Sequence, residues 1–183
     1  MVDFFAESDE IRKTFNGDWS RSSKRINLLN GFIVEALKRI NPLLNILTEE
    51  IIEYVFYTKK HDIVVGDDRQ IVFETKFIEK DFEKNDNNYF EGEVGRSTIA
   101  EKNGKEYFSL VCIRSSATNG DFQDTKKRCR GYGYYLKNVC VLYYNDETKE
   151  YTLIAGDDYE TFLNKIANGA NEWKMGKFTR LKG

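Results

Sequence analysis

Two short apolar runs separated by a polar break constrain this chain more than any other feature. Residues 61–77 read HDIVVGDDRQIVFETKF, with β-type residues on both sides of the polar break at 67–69. Such runs predict an antiparallel hairpin. Side chains alternate between faces along a strand, so Glu74 and Lys76 share one face of the second strand. Because the opposite face of this strand is apolar, the pairing of a carboxylate with an ammonium indicates a functional site.

The register of the predicted hairpin decides whether a second carboxylate joins this pair. In one register Gly66 pairs with Gln70. Asp62 then lies directly opposite Glu74, on the face that carries Lys76, whereas a shift of one residue would move Asp62 to the other face. Two clustered carboxylates repel each other unless a cation separates them. A small number of hard oxygen ligands favours Mg²⁺, and the ion and Lys76 together would activate a water for attack on a phosphodiester.

This arrangement resembles the motif of the PD-(D/E)xK nuclease superfamily, which includes many type II restriction endonucleases and Holliday-junction resolvases. The matching residues are Asp62 and, twelve residues later, Glu74-Thr75-Lys76. The resemblance implies that Asp62 and Glu74 bind Mg²⁺, with Mn²⁺ as a substitute. It also implies that the backbone carbonyl of Thr75 adds a ligand and that Lys76 assists the attacking water. His61 stands where the family often has Pro, and we interpret it as a structural or electrostatic neighbour. The alternative is a surface hairpin with an ordinary charge pair.

A further carboxylate is available on the helix predicted upstream. Residues 20–46 have an apolar stripe at helical spacing and predict a long helix, broken near Pro42. In the resembled fold a Glu of the first core helix often completes the metal site, and Glu35 is the candidate. Two alternatives stay open: an intrahelical pair of Glu35 with Arg39, and Glu53 as the additional carboxylate.

The order of the predicted elements indicates the fold class. After the helix come a strand at 50–57 and the hairpin, which together form a three-stranded antiparallel meander. Continuous apolar runs at 107–113 and 139–144 predict buried strands. A strand at 151–155 and a helix at 159–167 follow. This order predicts an α/β fold, a single-domain α/β/α sandwich with a central mixed sheet, which is the restriction-endonuclease-like core that the resemblance implies.

The length and composition of the chain are those of a globular domain. A chain of 183 residues with 40% hydrophobic residues forms one domain with a sizeable core. We expect the nuclease core at 20–145 and a C-terminal strand, helix and basic tail at 146–183. No apolar run is long enough to span a membrane. The three cysteines show no disulfide or metal-ligand spacing, and Cys112 and Cys140 are expected to be buried. These features predict a cytoplasmic protein.

The charge of the chain allows a nucleic-acid partner without requiring one. The net charge is −2, so binding would depend on local basic surfaces. The strongest cluster is KKRCRGYGYY at 126–135, which we interpret as a loop that contacts a nucleic-acid groove or strand, with a solvated basic helix start as the alternative. The residues expected to contact nucleic acid are Lys126, Lys127, Arg128, Arg130, Asn119, Gln123 and Arg96. Asn119, Gln123 and Arg130 belong to residue types that read base edges.

The sequence thus predicts a Mg²⁺-dependent endonuclease that cuts double-stranded DNA, most like a small type II restriction enzyme. By resemblance, the product is expected to carry a 5′-phosphate. Cleavage of palindromic sites would require a homodimer. One alternative is another nuclease of the same fold, such as a junction resolvase, a nicking enzyme or a viral RNA endonuclease. The other is a catalytically inactive protein that retains the fold and binds nucleic acid.

Overall fold

A six-stranded mixed sheet forms the centre of the protein, with helices packed on both of its faces. The computed structural model describes residues 3–14, 23–55, 58–67, 71–119 and 121–180. In chain order the elements are α1 (Phe4–Thr14), α2 (Ser23–Ile40), β1 (Ile46–Glu53), β2 (Thr58–Val65), β3 (Ile71–Ile78), α3 (Phe82–Lys102), β4 (Glu106–Arg114), α4 (Phe122–Arg128), α5 (Arg130–Tyr135), β5 (Val139–Asn145), β6 (Glu150–Gly156) and α6 (Tyr159–Arg180). None of the helices in these ranges combines the length and apolar character needed to cross a bilayer.

The strands lie in the sheet in their chain order, β1 to β6. Strands β1, β2 and β3 form an antiparallel meander, as predicted. The pairs β3–β4 and β4–β5 are parallel, and each connection between them carries helices across a face of the sheet. Strand β6 returns antiparallel to β5 and forms the second edge. The predicted α/β fold with a mixed sheet is therefore confirmed.

Alternating side chains of the central strands supply a separate core on each face. One core contains the apolar faces of α1, α2 and α6, with Leu29, Ile33 and Phe162 fully buried against Phe73. The other face is covered by α3, α4 and α5, where Phe82 and Tyr132 anchor the packing. The predicted burial of Cys112 and Cys140 is confirmed, since both thiols are fully buried and free.

The predicted elements before the hairpin are shifted along the chain. The helix expected over 20–46 occupies Ser23–Ile40 within the described residues, and positions 20–22 lie outside them. The first strand covers Ile46–Glu53 rather than 50–57, and positions 56 and 57 lie outside the described range. The residue before a proline disfavours the helical region, so the helix ends before Pro42 and the chain is free to begin the strand early.

The connecting segments and the C-terminal region are more helical than their composition indicates. The segment DFEKNDNN at 81–88 has the polar composition of a turn, yet Phe82 begins α3 there and is fully buried, which anchors the first turn of the helix. The segment 126–135 was interpreted as a loop, with a solvated basic helix start as the alternative, and the helices α4 and α5 found there agree with the alternative. The side chain of Asp121 caps α4 by accepting hydrogen bonds from two backbone N–H groups. The C-terminal helix runs to Arg180 rather than 167, so most of the expected basic tail is helical, and 181–183 lie outside the described residues.

Replacing Gly95 by Ala is expected to stabilise the protein. Gly95 lies exposed in the middle of α3, and a Cβ added there would meet nothing within 4 Å. Alanine in a helix interior is favoured over glycine by about 0.5–1 kcal/mol, so the free energy of unfolding should rise by about that amount. Urea denaturation measures the change. The control is Gly92→Ala in the same helix, where the Cβ would lie 3.3 Å from Arg96 Nη1, and the gain should be smaller. A loss of stability in Gly95→Ala would contradict the prediction.

Candidate active site

The sheet divides between β2 and β3, and the predicted site lies where they separate. Strand β2 pairs with β1 from Thr58 to Val65, but among the described residues it pairs with β3 only at Ile63, Val64 and Val65. Ile63 pairs with Phe73, so the next residues along, Asp62 and Glu74, are the first beyond the last pair. This is the predicted register, and we call the point of separation the fork. The Gly66–Gln70 pair itself lies partly outside the described residues, because Gln70 is among those not described.

Asp62 takes over a hydrogen bond that the separated strands no longer make. Its Oδ2 accepts from the backbone N–H of Thr75 at 2.8 Å and from Thr75 Oγ1 at 3.1 Å. Thr75 Oγ1 also lies 2.8 Å from Asn30 Oδ1, which ties the fork to α2. Burial raises the pKa of the Asp62 carboxyl, and the neighbouring charge of Glu74 raises it further. The second oxygen, Oδ1, accepts no hydrogen bond from the residues that the structure describes.

Glu74 is almost completely buried, with 5% of its surface exposed, and is held by two donors. Its Oε1 accepts from His61 Nδ1 at 2.6 Å and from Lys59 Nζ at 2.8 Å. Burial raises the pKa of this carboxyl, but the hydrogen bond from His61 and the charge of Lys59 outweigh burial, and the pKa lies below its ordinary value. Glu74 is therefore ionised at neutral pH. Among the described residues, none donates a hydrogen bond to its Oε2.

A break in β2 brings His61 to this side of the sheet. Ile63 packs in the core on the α2 side, so regular alternation would place His61 there too. Instead the β1–β2 ladder skips the pair between Glu49 and Asp62, and Glu49 has a φ of 58°. An ionised carboxylate only accepts, so His61 Nδ1 carries a proton towards Glu74. His61 Nε2 lies 2.7 Å from the hydroxyl of Tyr54. The interpretation of His61 as a neighbour of the site is confirmed, and its contact is with Glu74.

Lys76 follows on the same face of β3 and is available for a ligand. The pKa of the Asp62 carboxyl is raised by burial and by Glu74, and the positive charge of Lys76 opposes that rise. The side chain is half-buried and makes no hydrogen bond or ion pair with the residues that the structure describes. The N–H and C=O of one residue in a strand point to the same side. Because the N–H of Thr75 points to Asp62, its carbonyl also points into the fork.

The donor set fits Mg²⁺ that is completed by substrate and water. Asp62 Oδ1, Glu74 Oε2 and the carbonyl of Thr75 are hard oxygen donors around the fork. Within the described ranges, no group of three or more His, Cys, Asp or Glu side chains is placed to hold a metal ion. Mg²⁺ does not need such a cage, because it is commonly held by one or two carboxylates together with substrate phosphates and waters. The fork could thus hold this ion.

The two candidates for an additional carboxylate do not face the fork. Glu35 has 67% of its side chain exposed and lies 3.8 Å from Arg39, which is the intrahelical pair left open as an alternative. Glu53 is exposed on the edge strand β1. The side chain of α2 that reaches the fork is Asn30, whose carbonyl oxygen contacts Thr75.

A buried carboxylate that the sequence did not reveal lies on α3 and contacts the neighbouring strand β4. Glu93 of α3 is fully buried and accepts from Tyr107 Oη at 2.7 Å, Ser109 Oγ at 2.6 Å and Arg96 Nη1 at 2.7 Å. Ser109 pairs with Glu74 in the β3–β4 ladder, and the negative charge of Glu74 helps to raise the pKa of Arg96. The signal in the sequence was the alternation of Tyr107 and Ser109 inside an otherwise apolar strand.

The other residues expected to bind nucleic acid lie on α4, α5 and the segment before them. Lys126, Lys127 and Arg130 are exposed. Arg128 is paired with Asp124 and Asp86. The exposed residues Asn119 and Gln123 complete the set. These residues share the α3 side of the sheet with Glu74, but the sheet and α3 separate them from the fork by two strands or more.

No family model, curated protein or solved structure matches this chain. What the fork can do therefore follows from its own geometry and charges.

Proposed function

We propose that this chain is a Mg²⁺-dependent endonuclease that hydrolyses phosphodiester bonds of double-stranded DNA, of the PD-(D/E)xK type. The observation that carries the proposal is the convergence of Asp62, Glu74 and Lys76 where β2 and β3 separate. Each carboxylate has one oxygen that accepts no hydrogen bond from a described residue, and Lys76 makes no hydrogen bond or ion pair with the described residues. A surface hairpin with an ordinary charge pair would not bury Glu74 or leave the lysine beside it unpaired.

The residues of the fork divide the chemistry of hydrolysis between them. When bound, the ion would supply positive charge that stabilises the phosphate in the transition state and acidifies a nearby water. Asp62, Glu74 and the carbonyl of Thr75 would hold that ion, and Lys76 would orient the attacking water from β3. The water oxygen bonds to phosphorus and the bond from phosphorus to O3′ breaks. The water gives up its proton to solvent, O3′ takes one up, and the product carries a 5′-phosphate.

Cleavage at a specific DNA site would also require contacts with DNA outside the fork and a second copy of the chain. Exposed basic residues on α4 and α5, among them Lys126, Lys127 and Arg130, would contact the DNA backbone. Recognition of a palindromic site would use two copies of the chain related by a two-fold axis. The three cysteines are free and buried, which is compatible with a reducing compartment, and we propose that the enzyme acts in the cytoplasm.

A specific observation favours one rival, a catalytically inactive nucleic-acid-binding protein with the same fold. Lys59 and His61 already satisfy one oxygen of Glu74 and lower its pKa without a metal ion. The charge of Glu74 is thus compensated in the absence of a metal ion. The rival therefore predicts binding of DNA or RNA with no cleavage under any metal condition.

Cleavage of supercoiled plasmid tests the proposal directly. The wild-type protein is expected to give discrete fragments with Mg²⁺ or Mn²⁺ and none with EDTA. Glu74→Gln, which keeps the shape of the side chain, should remove cleavage while the melting temperature shows that the protein is folded. The control is Glu91→Gln, an exposed position on α3. Cleavage that survives EDTA or Glu74→Gln would refute the site. Parallel reactions with four-way junctions, nicked duplexes and RNA separate the restriction reaction from other nucleases of this fold.

A further inference from the structure

Lys59 belongs to the fork, although neither the motif nor the hairpin pattern predicted it there. It projects from β2, has 23% of its side chain exposed, and donates from Nζ to Glu74 Oε1 at 2.8 Å. The same ammonium lies 3.2 Å from the backbone carbonyl of Lys60. Part of this long side chain is in contact with water, so the ammonium can leave Glu74 without crossing a packed core.

The charges around the fork balance without a metal ion. The carboxylates Asp62, Glu74 and Glu93 lie among the cations Lys59, Lys76 and Arg96. The Glu93 carboxylate is committed to Arg96 and to two hydroxyl groups. Lys76 makes no ion pair with a described residue. Lys59 is therefore the cation that neutralises Glu74 in the free protein.

A divalent ion that binds Glu74 would be repelled by the ammonium already there. Two like charges a few ångströms apart repel strongly wherever water is partly excluded, and Glu74 is almost completely buried. Binding of the ion and the contact of Lys59 with Glu74 therefore oppose each other. His61 does not create the same conflict when neutral, because its contact with Glu74 then brings no net charge.

We propose that Lys59 is an internal competitor for the metal ion, which occupies Glu74 in the free protein and must be displaced when a divalent cation binds. This inference rests on the proposed metal site. It assigns Lys59 as a positioning residue that sets the metal affinity of the fork through Glu74. Metal binding would at the same time release a flexible ammonium at the edge of the site, where a phosphate of the substrate would lie.

Direct measurement of Mn²⁺ binding to the full chain without DNA tests this inference. Free Mn²⁺ is followed by electron paramagnetic resonance up to millimolar concentrations. Lys59→Met keeps the aliphatic stem and removes the charge, so Mn²⁺ should bind at least about fivefold more tightly than to the wild type. Lys59→Arg keeps the charge and should leave the affinity near that of the wild type. The control is Lys60→Met, the adjacent lysine, which is paired with Glu49 instead.

The outcomes separate this inference from the proposed function. Tighter binding in Lys59→Met, lost again when Glu74→Gln is added, supports the competition, even if the wild type binds Mn²⁺ too weakly to detect. Equal affinities in wild type and Lys59→Met overturn it, as does the absence of Mn²⁺ binding in both. Plasmid cleavage by the wild type would still support the nuclease in either case. Should Lys59→Met fail to fold, Lys59→Gln makes the same comparison.

Discussion

Replacing Lys76 by Met is expected to reduce Mg²⁺-dependent cleavage by about 10²–10⁴-fold, the range for removal of a positioned group that assists proton transfer or water activation. The structure predicts a selective loss. Lys76 is half-buried beside Asp62 but makes no hydrogen bond or ion pair with the described residues. Methionine keeps the apolar stem, so no partner is left unsatisfied and the free energy of unfolding should change by less than about 0.5 kcal/mol.

The measurement for Lys76→Met is a single-turnover rate of plasmid cleavage, with DNA affinity determined separately in Ca²⁺. The rate should fall while the affinity changes little, because one ammonium among many basic groups contributes modestly to binding. Lys80→Met is the matched control, since Lys80 is exposed just after β3, and it should cleave like the wild type. A rate in Lys76→Met within a few-fold of the wild type would remove Lys76 from the mechanism.

Replacing Gly156 by Ala is expected to destabilise the protein by about 2–5 kcal/mol. Gly156 ends β6 with a φ of 77°, in the left-handed region that disfavours residues with a Cβ by about 1–2 kcal/mol. An added Cβ would collide with the backbone carbonyl of Val139, which already accepts a hydrogen bond from Asp157 at 2.8 Å. Overpacking of this kind typically costs about 1–3 kcal/mol in addition.

Gly104→Ala separates the two contributions to this loss. Gly104 has a φ of 70°, but an added Cβ there meets nothing within 4 Å. It should lose only the backbone contribution of about 1–2 kcal/mol. Urea denaturation of both variants measures the difference in the free energy of unfolding. Equal losses at the two positions would show that the contact with Val139 relaxes freely, contrary to the expectation.

The strands and the register of the hairpin were predictable because strands obey simple local rules. The apolar runs at 107–113 and 139–144 correspond to β4 and β5 within one residue at each end. The pairing of Ile63 with Phe73 is the register that brings Asp62 opposite Glu74. Period-two alternation and the need to bury one face leave little freedom for such segments.

The connecting helices and part of the fork were not predictable from local pattern. Gly92 and Gly95 lower the helix propensity of α3, yet buried Phe82 and Ala100 hold the helix from both ends. The break at Glu49, which accompanies the turn of His61 towards Glu74, depends on how β1 and β2 pair. The contact between Lys59 and Glu74 joins residues of two strands that have already separated. These features arise from tertiary packing, which the spacing of residues in one segment does not encode.

In the part of the chain that the structure describes, three residue pairs between β2 and β3 join the hairpin of β1 and β2 to the rest of the sheet. Asp62 belongs to this hairpin, whereas Glu74 and Lys76 belong to the strand that stays in the sheet with β4. A small rotation about those pairs would therefore move one carboxylate relative to the other and to the lysine. The spacing of the site thus depends on how these few pairs pack, and substitutions at Ile63 or Phe73, whose side chains are buried in the core, would change it.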